Sequence, residues 1–426
     1  MREPDWLSIS DALSRIVGAV APLGGEEVGI LDALGRTLAE SVVSPIDQPP
    51  WSNSAMDGFA ARADDVSGAN ATSPRRLAVI ESIPAGGFPS RPVGPGQATR
   101  IMTGAPVPDG ADCVIRVEHT RSAGDSAVEI VDDSDAGRNV RMKGEDITRN
   151  SEVLANGTLL RAGEIGVLAT VGRKVVNVAR RPRIGLLATG DELTDLDGYD
   201  DVLAGRRIVN SNSYALHASA VAVGAEPVIL GIAHDDPASL REHLTPALDL
   251  DALVTTAGAS VGDHDVVKDA LEEIGMRTAF WRVRIRPGSP FSFGVIPREG
   301  RPPLPVFGLP GNPVSAVVTF EILVKPAVRR MLGRRRLYPR TLRVRAAHRI
   351  RSSPGLVRFL RVTLEPGDDA WLARLTGEQG SGILTSVARA DALLVVPIDV
   401  EMIDEGEWAT AVPLASPDDS QEDNRF

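Results

Sequence analysis

The sequence predicts a multidomain α/β and β protein built around a central doubly wound parallel sheet. Three observations carry that prediction. The chain has 426 residues, more than the roughly 250–300 over which one hydrophobic core keeps growing. Between Arg180 and Gly333, short apolar runs alternate with stretches of helical periodicity, the pattern of a parallel sheet covered on both faces. On either side of that region, apolar runs are split by Gly, Pro and Asp-Gly pairs, which suits smaller β-rich units.

Taken in order, residues 8–21 place Ile9, Leu13, Ile16, Val17 and Val20 on one helical face, with Ser8 or Ser10 as N-cap. Leu31, Leu34 and Leu38 predict a second helix over Ile30–Val42, stopped by Pro45, Pro49 and Pro50. Residues 51–143 read as a β-rich unit. In the alternating region the expected strands are Arg183–Ala188, Glu226–Ile232, Ala252–Thr256, Thr278–Ile285 and Leu304–Phe307. The expected helices there are Ser213–Val223, Pro237–Leu248, Asp265–Ile274 and Pro313–Leu332. Leu342–Ala346, Phe359–Leu364, Ala390–Pro397 and Trp408–Pro413 predict a small all-β domain. The acidic segment 416–426 lacks apolar anchors and reads as a disordered tail.

Composition narrows the function. A net charge of −11 and an aromatic content of 4% oppose a phosphate-backbone partner and base-stacking platforms. A single cysteine, Cys113, excludes an internal disulfide and a multi-cysteine zinc site, and its apolar setting predicts a buried hydrophobe. With neither an 18-residue apolar run nor a secretory leader visible, a cytoplasmic protein without membrane contact is expected. The chain contains no GxxxxGK[ST], no GxGxxG after a strand and no HExxH.

Two Gly-rich turns stand out: ALVTTAGASVGDHD (252–265) and VFGLPGNPVSA (306–316). Each joins a strand pattern to a helix pattern and so presents backbone N–H groups suited to phosphate. In the second, Asn312 is placed to cap a helix whose first position is Pro313. Acidic groups follow three strands at the same predicted edge: Asp191 and Glu192 after Thr189-Gly190, Asp235-Asp236, and Asp263 and Asp265. Carboxylates beside an anion loop repel phosphate unless a cation stands between, and hard oxygen ligands suit Mg²⁺. Any one of them alone reads as a helix cap, and His264 as a solvent-facing loop residue. The Asp57-Gly58 pair and the turn at Thr103-Gly104 are tight turns on local grounds. The basic run Arg329–Arg351 is expected to be a solvated helix end and linker.

Together, PPWSNSAMDGFA (49–60), RIMTGAPVPDGADCVI (100–115), GEDI (144–147), LLATGDEL (186–193), IVNSNSYAL (208–216), TTAGASVGDHD (255–265), FGLPGNPVSAVVTF (307–320) and GEQGSGILTSVARADALLVVP (377–397) resemble the molybdopterin molybdenumtransferase family. The resemblance spans nearly the whole chain. It implies an elongated α/β domain from residues 1–46 and 144–180, an inserted β-rich domain at 47–143, a molybdopterin-binding α/β domain at 181–333 and a β-barrel-like domain at 334–415. It implies insertion of molybdate into adenylyl-molybdopterin with Mg²⁺ and release of AMP, by a homodimer whose cleft lies between the sheet domain of one subunit and the inserted domain of the other. A molybdopterin adenylyltransferase would supply the substrate.

Carried over residue by residue, the resemblance marks Asp57, Thr103, Glu192, Asp235 and Asp265 as the functional polar set. Of these, Glu192, Asp235 and Asp265 are expected at the metal. Substrate contacts are expected from Thr189, Gly190, Asp191, Ser211, Gly258, Ser260, Gly262, Arg282, Arg286, Pro310, Gly311, Asn312, Pro313, Arg361 and Ser381. Within Phe280–Pro290, where the family commonly carries Lys, this chain has Arg282, Arg286 and Ser289. Ala257-Gly258 stands where Gly-Gly is usual. These departures leave open a tungstate-using variant and a non-catalytic pterin-binding or scaffold paralogue. A molybdate-independent phosphohydrolase is a third alternative.

Overall fold

The computed structural model describes residues 6–124, 126–256 and 266–414. They divide into two compact units, one of residues 1–40, 157–161 and 175–426, the other of 41–156 and 162–174; of these, only the described residues are discussed. The larger unit opens with α1 (Ile9–Gly18), whose N-cap Ser8 accepts a hydrogen bond from the Asp11 amide at 3.0 Å. Its apolar face buries Ala12 and Ile16.

The central sheet is formed by β1 (Arg183–Thr189), β2 (Glu226–Ala233), β3 (Ala252–Thr256), β4 (Arg277–Arg282), β5 (Pro290–Arg298) and β6 (Arg301–Leu309). Their order is β2-β1-β3-β6-β5-β4. The first four are parallel, and β5 and β4 add antiparallel at one side. Four helices belong to this sheet: α2 (Ser211–Val223), α3 (Pro237–Leu244), α4 (Val266–Glu273) and α5 (Pro313–Thr319). Neighbouring residues serve opposite faces. Leu186, Val254 and Phe307 pack with α1, α2 and α5, whereas Leu187, Leu253 and Val306 pack with α3 and α4. Both faces being covered, the strands read as continuous apolar runs.

The C-terminal strands β7 (Leu342–Ala346), β8 (Val357–Pro366), β9 (Trp371–Leu375), β10 (Ala392–Val396) and β11 (Trp408–Pro413) close into a barrel. Its order is β8-β9-β7-β11-β10, and β10 pairs back onto β8. Closure pairs each of these five strands on both sides. Leu360, Val362 and Leu394 fill the barrel, while Phe359 and Leu393 belong to the core shared with the sheet.

In the smaller unit, the strands Cys113–Arg116, Gly58–Ala61, Gln97–Ile101, Arg75–Ile83, Ala127–Ile130 and Thr120–Ser122 lie side by side in that order. Cys113 is fully buried among them, and burial raises its thiol pKa to about 11. The residues expected to form one elongated domain are divided between the two units. Gly25–Gly29 pairs with Val175–Ala179 in the larger unit, and Val42–Val43 pairs with Glu152–Leu154 in the smaller.

Several expected elements differ. Ile30–Val42 is not a helix: a single 3-10 turn at Ile30–Asp32 is followed by Gly35 at φ 74 and a bridge from Leu38 to Val178. Leu31 and Leu34 are left exposed, so their helical spacing buries no common face. Strands β5 and β9 were not expected, and Thr278–Ile285 is interrupted after Arg282, with Ile285–Arg286 pairing instead alongside β8. The expected long helix 313–332 is α5, a π turn at Phe320–Val324 and a further helix at Lys325–Met331. The basic run is not simply solvated. Arg329 donates to the Leu337 carbonyl, and Arg334 donates to that of Val223, burial lowering its pKa to about 10. The tail and His264 lie outside the described residues.

Candidate functional site

Parallel pairing aligns the C-terminal ends of four strands, because Thr189 is in register with Ala233, Ala188 with Thr256, and Thr256 with Leu309. The loops 190–192, 234–236 and 310–312 therefore leave the sheet at one edge, where ligands of such sheets bind. Gly190 is required at its position: φ is 141°, and a Cβ there would stand 2.7 Å from a Glu192 carboxylate oxygen. Asp191 Oδ1 meets His234 Nδ1 at 2.9 Å, and that hydrogen bond holds the Asp191 carboxyl below the ordinary range. Asp236 is consumed as a cap, accepting from the amides of Ala238 and Ser239. Glu192 and Asp235 are exposed on adjacent loops.

Polar groups at this edge are left over. Thr189 Oγ1, Thr256 Oγ1 and Asn212 Oδ1 are buried with no hydrogen-bond partner among the described residues. Asn212 Nδ2 meanwhile donates to the Gly311 carbonyl at 2.7 Å, tying the start of α2 to the loop after β6. Buried polar atoms are ordinarily satisfied, so these three groups have capacity left for a polar ligand at this edge. The donor chemistry at Glu192 and Asp235 fits Mg²⁺. Among the described residues no group of three His, Cys, Asp or Glu could hold a metal by itself. Such an ion would take its other ligands from water and phosphate, the usual habit of Mg²⁺.

Beside the start of α5 lies a cavity of about 480 Å³ whose lining includes Arg286, Ser289, Asn312, Arg358, Arg361 and Ser381. Among the described residues no carboxylate lines it. Asn312 occupies the N-cap position of α5 yet makes no side-chain capping bond, which leaves its amide for the cavity. The Val314 amide donates to the Ser381 carbonyl at 3.1 Å, so the barrel loop is fixed against α5. Arg361 is 1% exposed; its Nε donates to Ser386 Oγ and its Nη2 to the Gly380 carbonyl, both at 3.0 Å. The buried arginine is thus aimed by hydrogen bonds, not by an acid, and keeps its charge available to an anion.

In the smaller unit, Asp57 immediately precedes the strand Gly58–Ala61. Its Oδ1 accepts from the Thr103 amide at 2.7 Å and the Thr103 hydroxyl at 2.8 Å. The amide bond first, then the hydroxyl, hold this exposed carboxyl below its usual range.

Family models account for most of the chain. The MoeA N-terminal region (domain I and II) matches residues 7–172, a probable molybdopterin binding domain matches 185–330, and the MoeA C-terminal region (domain IV) matches 343–414. The chain is 36% identical over 415 residues to a molybdopterin molybdenumtransferase of Nostoc sp., covering 96% of this chain and 94% of that one. The chain belongs to the molybdopterin molybdenumtransferase family. A Bacillus subtilis relative of the same name is 33% identical, over 92% of this chain and 90% of its own. The crystal structure of a molybdopterin biosynthesis MoeA protein from Pyrococcus horikoshii superposes with a TM-score of 0.82 at 30% identity, covering 96% of this chain and all of the other.

Within this family frame, Arg286, Asn312, Arg361 and Ser381 meet in the cavity. Thr189, Gly190, Asp191, Glu192, Asp235, Pro310 and Gly311 lie at the sheet edge, Ser211 at the start of α2 and Pro313 at the start of α5. Arg282 is not among the cavity residues; its guanidinium stands 5.2 Å from the centre of the Trp6 ring. Gly258, Ser260, Gly262 and Asp265 lie outside the described residues. Asn212 and Arg358 escaped the sequence reading. For Asn212 the signal was present, as Asn210-Ser211-Asn212 opens a helix. For Arg358 there was none, since an arginine near a strand start is ordinary.

Proposed function

We propose that this protein carries out the transfer its relatives are named for, inserting molybdate into adenylyl-molybdopterin and releasing AMP. The single observation that best supports the reading is the acid-free cavity containing Arg286, Arg358 and Arg361 beside α5, together with family membership along the chain. A buried guanidinium with no carboxylate partner suits a small oxyanion such as molybdate. The Gly-rich sheet edge suits the phosphates and pterin of the second substrate.

In this reading Glu192 and Asp235, with Asp265, hold Mg²⁺, which when bound offsets negative charge on the phosphoanhydride and the departing AMP. Arg361, oriented by Ser386 and Gly380, holds the metalate oxyanion, with Arg286, Asn312 and Ser381 around it. Thr189, Asn212 and Thr256 supply polar atoms to the substrate at the strand ends. Asp57, fixed by Thr103, presents an ionised carboxylate that orients a donor group or water. We read the protein as a cytoplasmic homodimer taking its pterin from a molybdopterin adenylyltransferase. No helix among the described residues is long and apolar enough to cross a membrane.

The test is AMP release from adenylyl-molybdopterin by the purified protein. Release that depends on molybdate and is lost in Glu192→Ala supports the reading. Molybdate-independent release points to a phosphohydrolase, and tight pterin binding without AMP points to a scaffold.

A further inference from the structure

We propose that Arg358, with its neighbour Arg286, forms a second cationic arm of the arginine cavity and sets its preference for a doubly charged tetrahedral oxyanion. The inference rests on the molybdate reading above and adds a specificity-determining residue to it. The short strand Ile285–Arg286 pairs in parallel with the start of β8, and the register puts Arg286 beside Arg358. Like charges on directly neighbouring strand positions destabilise a sheet, so this placement costs the folded protein stability. Among the described residues nothing offsets that cost: neither arginine forms an ion pair, and no Asp or Glu lines the cavity. Arg358 Nε is buried without a hydrogen-bond partner among the described residues. Burial, and after it the charge of Arg286, push the Arg358 guanidinium below the usual arginine range. An unpaired donor, an uncompensated like-charge pair and a cavity open to both are all relieved together by one dianion. Arg361 is different in kind, because its donors are already engaged by Ser386 and Gly380.

The pair also bears on the Lys-to-Arg departure in Phe280–Pro290. Two guanidinium planes offer several N–H groups in fixed forks, which fit a tetrahedral anion with oxygens on more than one side. Charge, rather than shape, is what the second arm adds. Arg361 alone balances a monoanion; the added charge of the Arg286–Arg358 pair favours a dianion of the same geometry.

The experiment titrates full-length protein calorimetrically with sodium molybdate and with perrhenate, a tetrahedral monoanion, at constant ionic strength. Wild type is expected to prefer molybdate. R358Q should weaken molybdate binding at least tenfold and perrhenate binding much less, so that the preference narrows, and R358K should recover part of it. Without ligand, R358Q should melt at or above the wild-type temperature, and molybdate should raise its melting point less. A merely structural arginine would give the opposite melting order. In turnover, the loss should fall mainly on half-saturating molybdate rather than on the maximal rate. Molybdate affinity within twofold of wild type in R358Q, or an unchanged preference over perrhenate, overturns the proposal. Should R358Q fail to fold, R286Q at the exposed member of the pair is read by the same criteria. AMP release that ignores molybdate in wild type would count against the enzymatic reading alone, the binding comparison still deciding the second arm.

Discussion

Asp57 and Thr103 are joined twice, the carboxylate oxygen accepting from both the amide and the hydroxyl of the threonine at 2.7 and 2.8 Å. Both bonds favour the charged form, the amide more than the hydroxyl, so the Asp57 pKa lies below its ordinary value. The stabilisation linked to it is then fully present above about pH 4 and is lost as pH falls through the lowered pKa. In Thr103→Val the amide bond stays and the hydroxyl goes. The Asp57 pKa should rise part of the way back, read as an upward shift of its carboxyl ¹³C titration curve. No shift would mean the hydroxyl does not face the carboxylate.

Arg361 should behave differently from a surface arginine. Arg361→Ala removes donors from Ser386 and Gly380 and leaves a cavity beside α5, so unfolding free energy should fall by about 2–3 kcal/mol. Arg361→Lys keeps charge but cannot reach both partners, and should lie between. Urea denaturation of the three proteins orders them. Molybdate protection against melting should disappear in Arg361→Ala.

Gly58 has no room for a side chain: a Cβ would stand 2.0 Å from the Ile115 carbonyl oxygen, which is backbone and cannot swing aside. Gly58→Ala should therefore cost about 2–3 kcal/mol, in the range of overpacked sites. It should also disturb the Asp57–Thr103 pair one residue away. Scanning calorimetry and the Asp57 titration test both consequences.

Much of this was legible in residue order, and the exceptions have physical causes. The parallel strands were readable because burial on both faces makes each a continuous apolar run, as in Ile184–Ala188. The strand Pro290–Arg298 escaped because two prolines and Gly294 disguise it; it tolerates them in an antiparallel extension beyond the parallel core. Ile30–Val42 failed because leucine spacing carries no information about whether a partner exists to bury the stripe. At the site, loops announced themselves through Gly and acidic residues. Arg358 did not, since its meaning comes from a register with Arg286 that only tertiary pairing creates.

Asp251 sits at the opposite end of the sheet, at the start of β3, and carries a bidentate pair with Arg180 at 2.6 and 2.7 Å. Its burial raises the carboxyl pKa, but the hydrogen bonds from Arg180 and the Arg183 amide outweigh it and the net shift is downward. Its contribution is therefore present above about pH 4 and lost as pH falls through the lowered pKa. Asp251→Asn should cost about 2 kcal/mol at neutral pH, less than for a fully buried pair because Arg180 is partly exposed. The wild-type and variant melting temperatures should converge as pH falls below about 4.

Mg²⁺ dependence tests the two exposed acids at the sheet edge. Glu192 and Asp235 sit exposed on loops that leave adjacent parallel strands, and the amide of each variant has the same size and shape as the carboxylate it replaces. Glu192→Gln and Asp235→Asn should therefore melt within a degree or two of wild type. Each should nevertheless raise the Mg²⁺ needed for half-maximal AMP release by about tenfold or more, because an amide oxygen is a weaker ligand than a carboxylate for a hard cation. Chelation with EDTA should abolish release without unfolding the protein, and added Mg²⁺ should restore it. If both variants keep the wild-type Mg²⁺ requirement, the ion is bound elsewhere and these carboxylates serve the substrate directly. A large fall in melting temperature would instead make them structural.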